Sequence, residues 1–324
     1  MNDHPKKAAA FLKDEPHADW HDQTLWWVRQ NRDKAVNQVE EWEKLRGYAS
    51  QIKEHTLGHL DQYLEQFEKN ALQNGIKVHW ANDSGEHNSI ILSLLEEKQI
   101  PYVVKSKSML TEECGLNSYL ESKGIEVIDT DLGERIIQWM EQKPSHIVLP
   151  AIHLKKKEIG EIFTEKLKIP FTDHADTLTQ IARDHLRKYF LSSKAAISGV
   201  NFGIADTGSF VICTNEGNAD MGIHLADMHI ASIGIEKIIP EEQHLGVFLR
   251  ILSRSATGQP ITTYSSHFKQ ADKNKEIHLI IVDNGRSEIL GKPKFWKALK
   301  CIRCGACLNT CPVFRKSGGH SYDS

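Results

Sequence analysis

The stretch PYVVKSKSMLTEECGLNSYLESKGIEVIDTDLGERIIQWMEQKPSHIVLP, residues 101–150, decides the fold class. Three short runs in it are rich in β-branched residues: PYVVK (101–105), IEVID (125–129) and HIVLP (146–150). They read as strands. Residues 110–123 and 132–142, between them, carry helical periodicity. Strands that alternate with helices across loops of a few residues imply a mainly parallel sheet with helices on its faces and right-handed connections. The predicted class is therefore α/β.

The pattern extends both ways. Upstream, KVHW (77–80) reads as a strand, and residues 86–98 as a helix with Ile90, Ile91, Leu94 and Leu95 on one side. Downstream, helices are expected over 156–168 and 175–192. Residues 195–240 are glycine-rich and β-like. A helix from 241 to about 255 follows, then strands near 261–264 and 277–283, the last broken by NGR (284–286). Before the sheet, Leu25, Val28, Ala35, Val39 and Trp42 recur at about helical spacing, and Leu57, Leu60, Leu64, Phe67 and Ala71 do so more cleanly. Gly75 ends the second of these helices. A coiled-coil dimer is the rival reading, which the short repeat disfavours. Residues 1–22 are polar and of mixed charge, and read as a mobile arm. The expected division is 1–74 arm and helices, 75–290 α/β domain, and 291–324 a cysteine segment.

With 324 residues, 40% hydrophobic and 26% charged, and a net charge of −3, the composition is that of an ordinary globular protein. Nothing in it suggests nucleic acid, which calls for a basic surplus or stripe. Lys155-Lys156-Lys157 reads as a solvated helix start. No run approaches the roughly 20 apolar residues of a membrane span, and the N-terminus lacks a signal-peptide core, so direct membrane insertion is not expected. Four of six cysteines cluster near the end. The other two, Cys114 and Cys213, are isolated. A disulfide framework is not expected, and a reducing cytoplasm is the natural location.

The four clustered cysteines carry the strongest chemical signal. Cys301, Cys304, Cys307 and Cys311, followed by Pro312, spell C-x2-C-x2-C-x3-C-P, the bacterial iron–sulfur ligand run. Thiolates are the soft ligands such clusters need. The first three can hold three irons of one cluster. The fourth usually serves a second cluster with its own run, and none follows within these 324 residues. Zinc is the rival, since C-x2-C is a zinc half-site, but three evenly spaced cysteines and the Cys-Pro pair favour iron.

Other candidates are less specific. Gly208 and Gly217 punctuate residues 203–218, where Thr207, Ser209, Thr214, Asn215, Glu216 and Asn218 sit at strand ends. Such positions line clefts in α/β proteins, and two ordinary hairpin turns explain them equally well. Lys105-Ser106-Lys107-Ser108, between a strand and a helix, suits an anion site. Capping by Ser108 or Thr111, with Glu112 and Glu113 in the first turn, also accounts for it. Asp131 and Glu134 are catalytic carboxylates or, more simply, an N-cap and a first-turn acid. His55 and His59 read as a surface pair. His146 and His153 bracket HIVLP and could point into one cleft, and His224 and His229 flank LADM; a structural role is the simpler reading of each. Cys213 reads as a packing thiol. No Gly-x-Ser-x-Gly elbow, P-loop, His-Glu-x-x-His or dinucleotide fingerprint occurs.

Taken together, VVKSKSMLTEECGLN (103–117), GIEVIDTDLGERIIQ (124–138), PSHIVLPAIH (144–153), NFGIADTGSFVICTNEGNADM (201–221) and CIRCGACLNTCPVFRKSGGHSY (301–322) resemble the lactate utilization protein B family. The resemblance runs from the N-terminal helices to the end of the chain. Its central part is similar to the LUD domain, which is related in fold to the sugar-phosphate isomerase and CoA-transferase group. It implies an iron–sulfur subunit of a three-protein system that oxidises L-lactate to pyruvate, relaying electrons through [4Fe–4S] clusters to an acceptor the sequence does not name. By position it implies that Cys301, Cys304 and Cys307 ligate one cluster and Cys311 the other; in the family a second cysteine run completes both, and these 324 residues lack that run. Its partners would be the other subunits of that system. Within the LUD part, Lys105, Lys107, Thr207, Glu216 and Asn218 are the expected carboxylate or phosphate contacts. By fold analogy, Glu216 or Glu134 is the expected base or nucleophile of an enzyme reading. A scaffold for partner subunits is the third reading.

Overall fold

The computed structural model describes residues 4–271 and 275–319. Four helices come first: α1 His4–Lys13, α2 Glu15–Asn37, α3 Trp42–Gly58 and α4 Leu60–Gln73. Then β1 Lys77–Ala81, α5 Ser84–Glu97, β2 Tyr102–Lys105, α6 Met109–Glu113, α7 Leu116–Ser122, β3 Glu126–Asp129, α8 Leu132–Trp139, α9 Lys156–Leu167 and α10 Ala175–Ser192 alternate. The second half runs β4 Ala195–Gly199, β5 Phe202–Ile204, β6 Ser209–Thr214, α11 Asn218–Leu225, β7 Met228–Gly234, β8 Ile238–Ile239, α12 Glu242–Thr257, β9 Tyr264–Phe268, β10 Glu276–Val282 and α13 Arg286–Leu290. Two short helices, α14 Ala306–Thr310 and α15 Pro312–Ser317, carry the cysteine segment.

Six strands form a fully parallel sheet in the order β1-β10-β7-β4-β2-β3. From β2 the chain steps outward to β3, then returns on the other side of β2 through β4, β7 and β10. The direction reverses between β2 and β4, which in open α/β sheets opens a crevice beyond the strands' carboxyl ends. Ile91, Leu95, Leu116 and Leu120 of α5 and α7 pack one face. Phe67, Leu186, Phe190 and Ile223, from α4, α10 and α11, pack the other. Each fully buried Leu or Phe contributes about 1.5–3 kcal/mol over exposure. A second, four-stranded sheet, β8-β5-β6-β9, lies beyond this second core. Its outer face, with Phe202, Ile204 and Val211, packs on Leu245 and Phe248 of α12.

Four local expectations change. HIVLP is not a strand: residues 146–150 form an irregular loop. Side chains take the backbone groups a ladder would use. The His146 ring accepts from the Val148 and Leu149 N–H groups at 3.1 Å each, and Lys107 donates to the Val148 carbonyl at 3.1 Å. Residues 110–123 split into two helices because Gly115 adopts φ +64°, a left-handed conformation that glycine holds without strain. The strand expected at 261–264 begins at Tyr264. The arm expected at 1–22 is helical from His4 and docked. Leu25 of α2 shares a small core with Leu308 and Phe314, and Asp22 pairs with Arg315 at 2.6 Å. The N-terminal helices thus hold the cysteine segment against the α/β body.

Candidate functional site: a cavity at the strand ends

A cavity of about 520 Å³ lies over the carboxyl ends of β2, β4 and β7, at the reversal point. Its walls include the loop after β2 with Asp131, the 147–149 loop, the ends of β4 and β7, the segment from the end of β6 to Asn218, helices α2 and α12, Arg286, and the loop Ile302-Arg303-Cys304. Gly199 at the end of β4 is required by its neighbour, since a Cβ there would sit 2.5 Å from the Ser108 hydroxyl.

At the β2–β3 end the charges are largely cancelled. Lys105 is fully buried, with Asp129 at 2.7 Å, Glu112 at 3.2 Å and Glu134 at 3.7 Å. Burial opposes its charge, but the three carboxylates overcome this and hold its pKa well above the usual value. Beside it, burial and the charges of Asp129, Asp131 and Glu112 push Glu134 up to about 8, against the pull of Lys105. Lys107 reaches the cavity but pairs with Asp131 at 2.9 Å. Glu216 lies on the same wall. Burial and the charge of Asp131 raise its carboxyl to about 7, while Lys107 pulls it back. Asp131 also caps α8, accepting from the Glu134 N–H at 3.1 Å. Asn218 donates to Thr130, just after β3, at 3.1 Å.

The opposite end is built on a charged relay. Glu113 takes Arg286 at 2.9 and 3.0 Å and Arg303 at 2.8 Å. Burial pushes the Glu113 carboxyl up, but Arg286, Asn284 and Arg303 more than offset it and hold it below the usual range. Arg286 continues to Glu236 at 2.6 Å. Lys53, 3% exposed on α3, donates to the Glu236 carbonyl. Burial and the nearby Lys237 bring Lys53 down to about 7. Lys237 donates to the Cys301 carbonyl at 3.4 Å.

The cysteine loop crosses this end. Arg303 and Gly305 both have positive φ, 58° and 76°, and turn the chain tightly between Cys301, Cys304 and Cys307. The Arg303 N–H points to the Cys301 sulfur at 3.3 Å. Burial raises the Cys304 thiol, while a backbone hydrogen bond from Ala306 lowers it. Thiolate donors and amide N–H groups aimed at sulfur suit an iron–sulfur cluster in chemistry. Among the described residues, no three His, Cys, Asp or Glu side chains gather closely enough to hold a metal ion.

Of the residues singled out in the sequence, Ser106, Lys107, Ser108, Asp131, Cys213, Thr214, Asn215, Glu216, Asn218 and Cys304 share the cavity wall. Lys105 and Glu134 lie behind it, buried against each other. Thr207 is elsewhere: its turn rests on α4, where Asn74 donates to its carbonyl at 2.8 Å. His146 is buried, donating from Nε2 to Asn309 at 3.0 Å while Nδ1 accepts. Burial lowers its pKa to about 4. His229 is buried on Ser198 at 2.7 Å, and His224 stacks on Phe268. His55 bonds Tyr63 at the surface. Cys213 lines the cavity as a thiol that burial raises to about 11. Lys53, Glu236, Lys237, Arg286 and Arg303 escaped notice. Lys53 does leave a trace, sitting four residues before Leu57 on the buried side of α3.

A model of the LUD domain matches residues 64–289. Lactate utilization protein B of Bacillus cytotoxicus is 44% identical, over 91% of this chain and 63% of its own length. Lactate utilization protein B of Macrococcus caseolyticus is 43% identical over 92% of this chain and 64% of its own. This chain belongs to the lactate utilization protein B family of LUD-domain proteins. An uncharacterized electron transport protein, YkgF, of Escherichia coli is 43% identical over 91% of this chain and 63% of its own. The chain thus spans less than two thirds of the relatives it matches. A solved structure of a DUF162 family protein from Deinococcus radiodurans has a TM-score of 0.39 and 12% identity, covering 69% of this chain and 98% of its own. The LUD match starts within α4 and ends within α13. The cavity therefore joins LUD walls to flanking ones: α2 and the cysteine loop both lie outside the match.

Proposed function

We propose that this chain is the LUD-domain portion of an iron–sulfur electron-transfer subunit that works with partner subunits in the oxidation of L-lactate to pyruvate. The names of its relatives support the lactate and electron-transport parts. The observation that carries the iron–sulfur part is the C-x2-C-x2-C-x3-C-P run docked at the mouth of the LUD cavity, with Cys304 on its wall. Cys301, Cys304 and Cys307 would hold one [4Fe–4S] cluster and Cys311 would serve another. A bound cluster supplies one-electron transfer. The chain's own residues position the loop: Arg303 ties it to Glu113, and Arg315 ties α15 to Asp22. Six unpaired thiols suit a reducing compartment, so the cytoplasm is the proposed location. No helix among the described residues is long and apolar enough to cross a membrane.

The test is anaerobic reconstitution of the 324-residue chain, with iron and sulfide counts and EPR of the reduced sample. The expected result is iron matched by sulfide, about four per chain for one cluster, with a reduced-cluster signal that Cys304→Ser abolishes. Background iron in a protein whose far-UV spectrum shows it folded would overturn the assignment of the run as a self-sufficient ligand set.

A second reading has one observation behind it. Asp131, Glu216 and Lys107 form an acid–acid–base group on the cavity wall, with Glu216 poised near pH 7 as a general acid or base would be. Lactate-dependent proton exchange that disappears in Glu216→Gln would favour it.

A further inference from the structure

The anion site suggested by the sequence lies at Lys105 and Lys107, and there the positive charge is already cancelled. Among the cavity-lining cations, Lys107 has Asp131, Arg286 has Glu236 and Glu113, and Arg303 has Glu113. Lys237 lines the same cavity, and no carboxylate lies within ion-pair distance of it in the described structure. Its hydrogen bond is a long one, 3.4 Å, to the Cys301 carbonyl. Behind it, Lys53 likewise has only a backbone carbonyl. Of four basic side chains here, Lys53, Lys237, Arg286 and Arg303, only the two arginines pair with the two carboxylates, Glu113 and Glu236.

The backbone explains why Glu236, its neighbour in sequence, does not neutralise Lys237. Gly234 lets the Glu236 carboxylate fold back over the end of β7 to Arg286. A Cβ at Gly234 would sit 2.1 Å from Glu236 Oε2 and 2.9 Å from Arg286 Nε. A half-buried ammonium beside an open cavity, with no carboxylate in contact, is costly in its charged form, and burial lowers its pKa; an anion entering the cavity would stabilise that charge. The same cavity also carries apolar lining, including Val28, Leu252 and Ile302. The volume falls in the range of sites for organic ligands, about 300–1,000 Å³, not of single ions.

We propose that Lys237 anchors the carboxylate or phosphate group of an organic ligand whose apolar body lies along Val28, Leu252 and Ile302, so that the ligand bridges the LUD domain and the cysteine loop. The ligand would touch both Lys237 and the loop, so its binding and the loop's ordering are thermodynamically linked. This site stands whether or not the chain transfers electrons, and its test uses iron-free protein so that the two can fail separately.

The experiment is calorimetric titration of the iron-free 324-residue chain with hexanoate, hexyl phosphate, acetate and inorganic phosphate, with thermal shift as the second readout. Saturable binding is expected, tighter for hexanoate and hexyl phosphate than for their short counterparts. The hexanoate and hexyl phosphate arms decide between a carboxylate and a phosphate head. Lys237→Gln should weaken binding about tenfold or more, the usual consequence of losing a charged hydrogen bond. Lys237→Arg should keep it within a few fold, which separates lost charge from lost folding. Lys194→Gln, on the exposed surface pair with Asp227, should leave it unchanged. Equal affinity in the wild type and Lys237→Gln would overturn the proposal. So would an absence of saturable binding to the iron-free chain, which would assign the surplus charge to the cysteine thiolates instead.

Discussion

At the β2–β3 end of the cavity, Lys105 and Lys107 face Asp129, Asp131, Glu112, Glu134 and Glu216. At the cysteine-loop end, Lys53, Lys237, Arg286 and Arg303 face Glu113 and Glu236. The first end has spare carboxylates, and protons make up the difference: Glu134 and Glu216 are pushed up toward neutrality. The second end has spare cations, and burial drives Lys53 down to about 7 and Lys237 below its usual value, with neighbouring cations adding to both shifts. A closed charge cage buried behind the wall acts as structure. An open imbalance lining a cavity invites a ligand.

The comparison breaks first at Lys105. Lys105→Met should cost about 3–5 kcal/mol, the loss expected when one partner of a buried charge group is removed. Denaturant unfolding at neutral pH measures it, and a loss below about 1 kcal/mol would mean the cage is not structural. Next, Glu113→Gln removes the carboxylate that Arg286 and Arg303 share. A cost of about 1–3 kcal/mol is expected, concentrated in faster amide exchange at 301–305 while β2 and β3 stay protected. Uniform exchange across both ends would erase the distinction between them.

The third prediction concerns pH. Glu134 ordinarily titrates near 4.5 and is held at about 8 in the fold, so the folded state keeps its proton longer than the unfolded one. The stability this gives is complete below about pH 4.5 and declines as pH rises toward 8. Glu134→Gln carries no such proton, and its stability should be flatter than the wild type across that window. Parallel pH curves would place the shifted group elsewhere.

Legibility differed by region for physical reasons. The ends of α10 coincide with those read from the sequence, 175–192, because an amphipathic stripe is a local signal. The caps Ser108 and Asp131 were equally local. HIVLP misled because its composition is strand-like, while His146 and Lys107 claim its backbone groups. That contest involves a residue some forty positions away. The docking of α1 and α2 on α14 and α15 was hidden for the same reason: Asp22 and Arg315 are 293 residues apart.

By itself the sequence determined the α/β alternation, the helix caps and the cysteine spacing, which are local patterns, and the alternation in turn implied a parallel sheet, whose strand order only the tertiary structure decided. Only the tertiary structure decided which charges meet. Lys53 reaches Glu236 across 183 residues and Arg303 reaches Glu113 across 190. Lysines adjacent in a motif were therefore neutralised, while Lys237, outside any motif, was left facing the cavity. Charge pairing follows distance in space and local dielectric, and neither is encoded in residue spacing.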